Sequence, residues 1–459
     1  MIPLCPILVN EYITPGYFMS LSLFVFLCLV SSVAAPEPMV LPMRDRSALI
    51  DEILADRLEN LLPQLMRREG IDMWVLISRE YNEDPVLKTF LPSTWLSARR
   101  RTILVIFDPG EGRPLERLAV ARYQVGELFA KAWDKETQGR QWQRLAALIN
   151  QKNPQRIAIN RSTHFALADG ITATAHQEFL GGLSAEMRKR VVSAELLALA
   201  WLETRTRKEM DVYPGLVRLG HDIISEAFSN KVIVPRKTST EDVVWWLREE
   251  TRALKLQNWF HPSVSIQRAS QEQFEHLKTF SEQAETSIIQ PGDLLHVDFG
   301  LTYLRLQTDQ QQHAYVLRPG EKDAPEYLKA ALAKANRLQD IFTLNFKLGR
   351  TGNEVLSLSR EQAIARGIKP SIYTHPIGYH GHGAGTTLGM WDSQDGVPVH
   401  GDYPLHLNTA YSIELNAASF LPEWNREIRI MLEEQAIFTA RGVGYMDGRQ
   451  TRLHLIASD

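Results

Sequence analysis

The stretch Gly292-Asp293-Leu294-Leu295-His296-Val297-Asp298-Phe299-Gly300-Leu301-Thr302-Tyr303-Leu304-Arg305-Leu306-Gln307-Thr308-Asp309 contains an apolar run closed by one acid, with a second acid eleven residues on. The apolar run reads as a buried strand, and a carboxylate at its end is costly unless it is paired or bound to a cation. If 294–299 and 304–309 form a hairpin centred between Tyr303 and Leu304, Asp298 and Asp309 oppose each other across the ladder, on one face. Like charges so placed repel unless a cation sits between them. The turn itself lacks the Asn-Gly or Gly chemistry that hairpins favour.

Three later segments carry matching chemistry. Thr374-His375-Pro376-Ile377-Gly378-Tyr379-His380-Gly381-His382-Gly383-Ala384-Gly385 packs three histidines and four glycines into twelve residues. Glycine lets backbone approach a ligand closely, and imidazole suits Mn, Co, Zn or Fe. Tyr411-Ser412-Ile413-Glu414-Leu415-Asn416 sets an acid in a strand-like run. In Arg429-Ile430-Met431-Leu432-Glu433-Glu434-Gln435-Ala436-Ile437-Phe438, period two puts Arg429, Met431 and Glu433 on one face and Glu434 on the other. Each acid alone reads as a solvated or paired strand residue. Two Asp, a His and two Glu together form a ligand set for two divalent ions.

The second half has the strand-like stretches 294–299, 304–309, 410–416 and 427–438. Its helices are expected from about 206 to Ser229, after a Thr238-x-x-Glu241 capping box, and from a Thr351-x-x-Glu354 box to near Gly367. The first half alternates. A helical pattern over Leu49–Glu69, with Pro63 as a kink or boundary, precedes runs at Met73–Ile77, Ile103–Phe107 and Arg156–Ile159. A helical stretch around Gln141–Ile149 lies between the last two. The chain is thus an α/β N-terminal domain, 36–205, followed by an α+β domain, 206–459. No phosphate-binding glycine loop is present in the first domain.

The 459 residues and a 44% hydrophobic content suit two domains. A net charge of -3 and no charged block beyond Arg99-Arg100-Arg101, read as a solvated loop, point away from nucleic acid. Residues 1–35 read as a signal peptide: Met19–Val33 is apolar, and Ser32-Val33-Ala34 fits a small-x-small cleavage site before Pro36. Its n-region has no Lys or Arg and contains Glu11, so a start at Met19 and an uncleaved anchor stay open. The expected location is secreted or periplasmic. Cys5 and Cys28 both lie in this segment, leaving the mature chain without a thiol.

Order and local context together resemble the pita-bread metallopeptidase family, which includes methionine aminopeptidase, aminopeptidase P and prolidase. The resembling pieces are Asp298-Phe299-Gly300 with Asp309, Gly381-His382-Gly383-x-Gly385, Ile413-Glu414, and Glu433 before its strand. The resemblance spans 206–459 and implies a creatinase/prolidase-type domain before it. It implies two divalent ions, with Mn first and Co, Zn or Fe as alternatives. Asp298 would bind one ion, Asp309 and Glu433 would bridge, and His382 and Glu414 would complete the second. Glu414 would also carry protons to and from the attacking water, and His380 would touch substrate. His380 remains an alternative to His382 as ligand. The implied substrates are peptides or dipeptides cut on the N-terminal side of proline, and a homodimer is a common form.

The chain departs from the pattern in three places. Trp391 stands where a second histidine, a short distance after the ligand, is expected; His375, His380 or His261 are its substitutes. Gln310-Gln311-Gln312-His313 follows Asp309 in place of threonine-arginine. Two extra residues separate Arg429 from Glu433. His375, Trp391 and Arg429 are the expected substrate contacts. His276 and the His261-Pro262-Ser263-Val264-Ser265 strand are weaker candidates, Trp245-Trp246 reads as core or domain contact, and Asp447-Gly448-Arg449-Gln450 as a turn. Two rivals remain: a non-catalytic peptide-binding module on the same fold, and a creatinase-like amidinohydrolase, which works without metal.

Overall fold

The computed structural model describes residues 40–110, 112–270 and 286–458. The expected signal peptide, with both cysteines, and His276 lie outside the described residues.

Among the described residues the N-terminal part is built on a six-stranded mixed sheet. Its strands are β1 (Met73–Arg79), β2 (Arg101–Phe107), β3 (Glu116–Ala119), β4 (Ala130–Lys131), β5 (Ile157–Ile159) and β6 (Val191–Ser193), in the order β4-β3-β2-β1-β5-β6. The central β1 is buried on both faces, which its unbroken run Met-Trp-Val-Leu-Ile predicts. The helical pattern ahead of it is one continuous rod of three pieces: Met43–Asp56, a π turn at Arg57–Leu61, and Leu62–Arg68. Pro63 comes just after the π turn, where the α-helical ladder is already interrupted.

The larger sheet holds β7 (Ser263–Gln267), β8 (Leu294–Phe299), β11 (Gln310–Val316), β12 (Lys369–Ile372), β13 (His375–Pro376), β14 (Thr409–Leu421), β15 (Arg426–Thr439), β16 (Gly442–Tyr445) and β17 (His454–Ile456), while β9 (Thr302–Tyr303) and β10 (Leu306–Gln307) form a separate two-stranded ladder. Its main order is β12-β14-β15-β11-β8-β7. β14 and β15 pair over their whole length, from Thr409↔Phe438 to Leu421↔Arg426. Alternation decides what each face holds. Ile413, Leu415, Ala417, Ile430 and Leu432 pack with the helix Glu326–Leu344 in one core, so Glu414 and Glu433 face the other way.

The hairpin around Asp298 forms with its centre one residue later than expected. Asp298 pairs with Gln311, Phe299 with Gln310, and Tyr303 with Leu306. The strand expected over 304–309 lies instead at Gln310–Val316, so Asp309 precedes it. Moving the centre by one residue moves each partner by two, which keeps Asp309 on the face of Asp298. The tight turn is made by Leu304 (φ 52°) and Arg305 (φ 66°), neither a turn-forming residue. Tertiary contacts hold them there: Leu304 is buried, and Arg305 Nη1 donates to the Leu91 carbonyl at 2.8 Å.

Two other expectations move slightly. The second helix is Thr240–Ala253, capped by Ser239 and Asp242 rather than Thr238 and Glu241. Trp246 packs into the core, whereas Trp245 is exposed against His261. The first long helix is Arg207–Ala227, capped by Thr206 and Glu209.

A buried charge cluster ties the N-terminal rod to this helix and to the histidine loop. Arg57, fully buried, donates to Glu209 Oε2 at 2.7 Å and to the carbonyls of Thr204 and Trp201. Arg205 Nη1 donates to Glu209 Oε1 at 2.7 Å. Both guanidinium groups lie over the Tyr379 ring, 5.2 and 5.1 Å from its centroid. No helix among the described residues is long and apolar enough to cross a membrane.

Candidate metal centre

Strand register assembles the site. Ser263 pairs with Asp298, Asp298 with Gln311, Gln311 with Glu433, and Glu433 with Glu414. These five residues therefore stand in one row across β7, β8, β11, β15 and β14. Directly opposed side chains share a face, with Cβ atoms about 5 Å apart. Asp309 joins the row from the segment just before β11. Its carbonyl accepts from Gln435 Nε2, and Ser412 Oγ lies 3.2 Å from that carbonyl and 2.7 Å from Glu433 Oε1.

The histidine at the centre of this cluster is His375. It lies on β13, paired with Ser412 of β14. Its Nε2 is 3.6 Å from Glu433 Oε1 and 3.9 Å from Asp309 Oδ2. Its Nδ1 is 3.0 Å from the Pro376 carbonyl, an atom that only accepts, so Nδ1 carries the proton there. That leaves a lone pair on Nε2 aimed at carboxylates, with no hydrogen-bond partner. Asp298 Oδ1 and Asp309 Oδ1 are likewise buried and without partners.

Three groups bring candidate ligand atoms within 4.8 Å of one another: Asp298, Asp309 and Glu433; His375, Glu414 and Glu433; and Asp309, His375 and His382. The four expected carboxylates thus converge. Burial, and then the charges of neighbouring acids, push the carboxyls of Asp298, Asp309 and Glu414 well above the usual range. A divalent cation removes both penalties, and the unpartnered oxygens and lone pair provide donors for it. The residues fit such an ion.

The other two histidines are separated by the loop. Gly383 N donates to the Pro376 carbonyl at 2.8 Å, which folds the loop back. His382 returns to the mouth of the cluster, exposed, its ring edge-on to His375 with centroids 4.8 Å apart. Two glycines are needed here: a Cβ on Gly381 would sit 2.2 Å from the Trp259 ring, and one on Gly383 2.6 Å from the Pro376 carbonyl. His380, expected beside His382 as ligand or substrate contact, is placed in a different crevice, with Leu202, Glu203 and Ala384. Burial and the charges of Arg205 and Lys88 hold its pKa at about 4. Residues 380 and 382 are close in sequence, but the loop turns their side chains to different surroundings.

Trp391 lines a small cleft beside Glu414, together with Gln311, Tyr373, Asn416 and Met431. Arg429 lies further along β15, its Nη1 donating to Asn416 Oδ1 at 2.9 Å. His261 is exposed, its Nδ1 3.1 Å from Arg248 Nη1, and it belongs to none of the groups of converging ligand atoms. Two site residues were missed in the sequence. Gln311 sits inside the acidic row, and Trp259 walls its mouth, with its ring centroid 5.3 Å from that of His382 and its Nε1 donating to the Thr308 carbonyl at 2.7 Å. Gln311 becomes visible only through the register. Trp259 carries no local signal.

The profile of metallopeptidase family M24 matches residues 167–440, more than half of the chain. The protein belongs to this family, and its fold is the pita-bread fold preceded by a mixed α/β domain. It is a peptidase of the metal-dependent class. The structure resembles the X-Pro aminopeptidase from Thermotoga maritima MSB8, with TM-score 0.60, 16% identity, and coverage of 85% of this chain and 99% of that one. It also resembles the Xaa-Pro dipeptidase from Bacillus anthracis (TM-score 0.56, 16% identity, 90% and 100% covered) and the prolidase from Pyrococcus furiosus (0.51, 14%, 85% and 100%). At such identities the likeness concerns the fold. No curated protein matches the chain by sequence.

Proposed function

We propose that this protein hydrolyses the peptide bond on the N-terminal side of proline in short peptides, using two divalent ions, with Mn the first choice. The observation that carries the metal site is the His375 Nε2 lone pair, held without a partner among the converging acids by a proton committed to the Pro376 carbonyl. The names of the structural neighbours support proline selectivity.

In this reading Asp298, Asp309, Glu414, Glu433 and His375 hold the ions. His375 takes the ligand role that the glycine-rich motif gave to His382. The exposed His382 is then the histidine that the family places a short distance after its ligand, and Trp391 no longer marks its place. When bound, the ions supply Lewis acidity and lower the pKa of a coordinated water. Glu414 is placed to accept and return a proton, with Oε1 held by Gln311 at 3.0 Å. His382 can donate a hydrogen bond to a substrate carbonyl at the mouth, and Trp391, Tyr373 and Met431 line the cleft on the Glu414 side. The complete ligand set favours this reading over a metal-free amidinohydrolase or a purely binding module. The apolar Met19–Val33 run supports export, which N-terminal sequencing of the mature chain would check.

The test is metal analysis of the purified protein and of Asp298→Ala, paired with release of the first residue from Xaa-Pro peptides. Wild type should hold metal and cut, and the variant should lose both. Metal near zero in both would end the metal reading. Metal without cleavage of Xaa-Pro bonds would remove only the substrate.

A further inference from the structure

Three consecutive glutamines follow Asp309, and strand alternation gives them different tasks. Gln310 Nε2 donates to the Val217 carbonyl at 3.0 Å, and Gln312 Nε2 donates to Glu434 Oε1 at 3.3 Å, away from the acidic row. Gln311 alone points into the row, between Asp298 and Glu433. Its Nε2 donates to Glu414 Oε1 at 3.0 Å and to Glu433 Oε2 at 2.7 Å. Its Oε1 accepts from His296 Nε2 at 2.9 Å. With both acids ionised, as ligands to a cation must be, each carboxylate only accepts, so the nitrogen of the amide faces them. His296 in turn stands beside Ser265, 3.5 Å from its Nδ1.

We infer that Gln311 is a positioning residue of the metal centre: a neutral donor in the middle of the ligand row that presets Glu414 and Glu433 before an ion arrives. This rests on the metal-centre reading above. A lysine or arginine in this place would satisfy the same two carboxylates, but its charge would compete with the ion. The amide satisfies them without charge. It ties down one oxygen of each glutamate, while Glu433 Oε1 stays directed toward His375, 3.6 Å from its Nε2. His296 prevents the amide from flipping, which would set an oxygen against two carboxylates. Partners of this kind behind metal ligands are typically worth ~10–100-fold in metal affinity.

The experiment titrates chelator-stripped full-length protein with MnCl2 by calorimetry, for wild type, Gln311→Met, Gln311→Asn and Gln312→Met. Methionine keeps the length and removes the donors; asparagine keeps the amide but cannot span to both acids. Wild type should bind two ions. Both Gln311 variants should bind at least one of them ~10–100-fold more weakly. Gln312→Met should match wild type, and metal-free melting should change little between wild type and the Gln311 variants. Wild-type affinities in Gln311→Met would overturn the inference, as would an equal loss in Gln312→Met. If Gln311→Met does not fold, Gln311→Asn decides by the same criterion. A wild type that binds no Mn2+ would instead overturn the metal-centre reading itself.

Discussion

His375 and His382 differ in what holds them. His375 is locked by β13 pairing and by the Pro376 carbonyl, with its second nitrogen facing acids. His382 is exposed at the mouth, between His375 and Trp259. These surroundings give the two alanine variants different phenotypes. His375→Ala should lose at least one equivalent of bound metal, measured by mass spectrometry. His382→Ala should retain its metal and lose turnover. The reverse pattern would return the ligand role to the Gly381-His382-Gly383 motif. Trp391, beside Glu414, is better placed to wall the substrate cleft than to stand in for a proton carrier.

At the scale of elements, the turn joining β9 and β10 shows tertiary burial overriding turn chemistry. Leu304 and Arg305 each occupy left-handed backbone, at a cost of ~1–3 kcal/mol per residue. Burial of a leucine is worth ~2–5 kcal/mol against truncation, and Arg305 adds a hydrogen bond to Leu91. Strain relieved over two residues and leucine burial lost are of similar size, and the lost hydrogen bond to Leu91 adds to the second, so replacing the pair by Asn-Gly, the best hairpin turn on local grounds, should leave the protein no more stable in urea unfolding. A stabilised variant would show that local strain outweighs packing here. The same element explains why the hairpin was only partly legible. The two strands and their shared face follow from the sequence, while the centre depends on which residue the core buries.

For the whole molecule the main electrostatic fact is the concentration of buried acids on one sheet face. Asp298, Asp309 and Glu414 have carboxyl pKa values raised by burial and by mutual repulsion. An acid whose folded pKa is raised binds more protons folded than unfolded, so stability falls as pH rises from the unfolded value, near 4, through the folded one. Metal-free protein should therefore melt at lower temperature at pH 8 than at pH 7, a window above the one in which buried neutral imidazoles, such as that of His380 with its pKa held at about 4, make stability rise with pH. Added Mn2+ should raise the melting temperature more at pH 8, by mass action on the folded state and because ligands there are ionised. A metal-free melting temperature that rises between these two pH values would contradict the picture. On the far side of the sheet Glu434 is already neutralised. His221 bonds it at 2.7 Å and Asp447 at 2.9 Å, Arg218 also pairs with Asp447, and these acids overcome burial to raise the His221 pKa to about 9.

Most of the strands were legible in the sequence by itself, and so were Asp298, Glu414 and Glu433, each a charge in an otherwise apolar run, whereas Asp309 stands in a polar stretch and was legible only through its spacing from Asp298. The face of each acid was legible too, since alternation along a strand is local. The histidine depended on tertiary structure: three imidazoles share one glycine-rich loop, and only the pairing of β13 with β14 selects which one meets the acids. The register of β8 with β11 was also decided in three dimensions, by packing at Leu304 and Arg305, and it is what inserts Gln311 between Asp298 and Glu433. Side-chain type and period are properties of a segment, whereas register and loop path are set by what the rest of the chain buries.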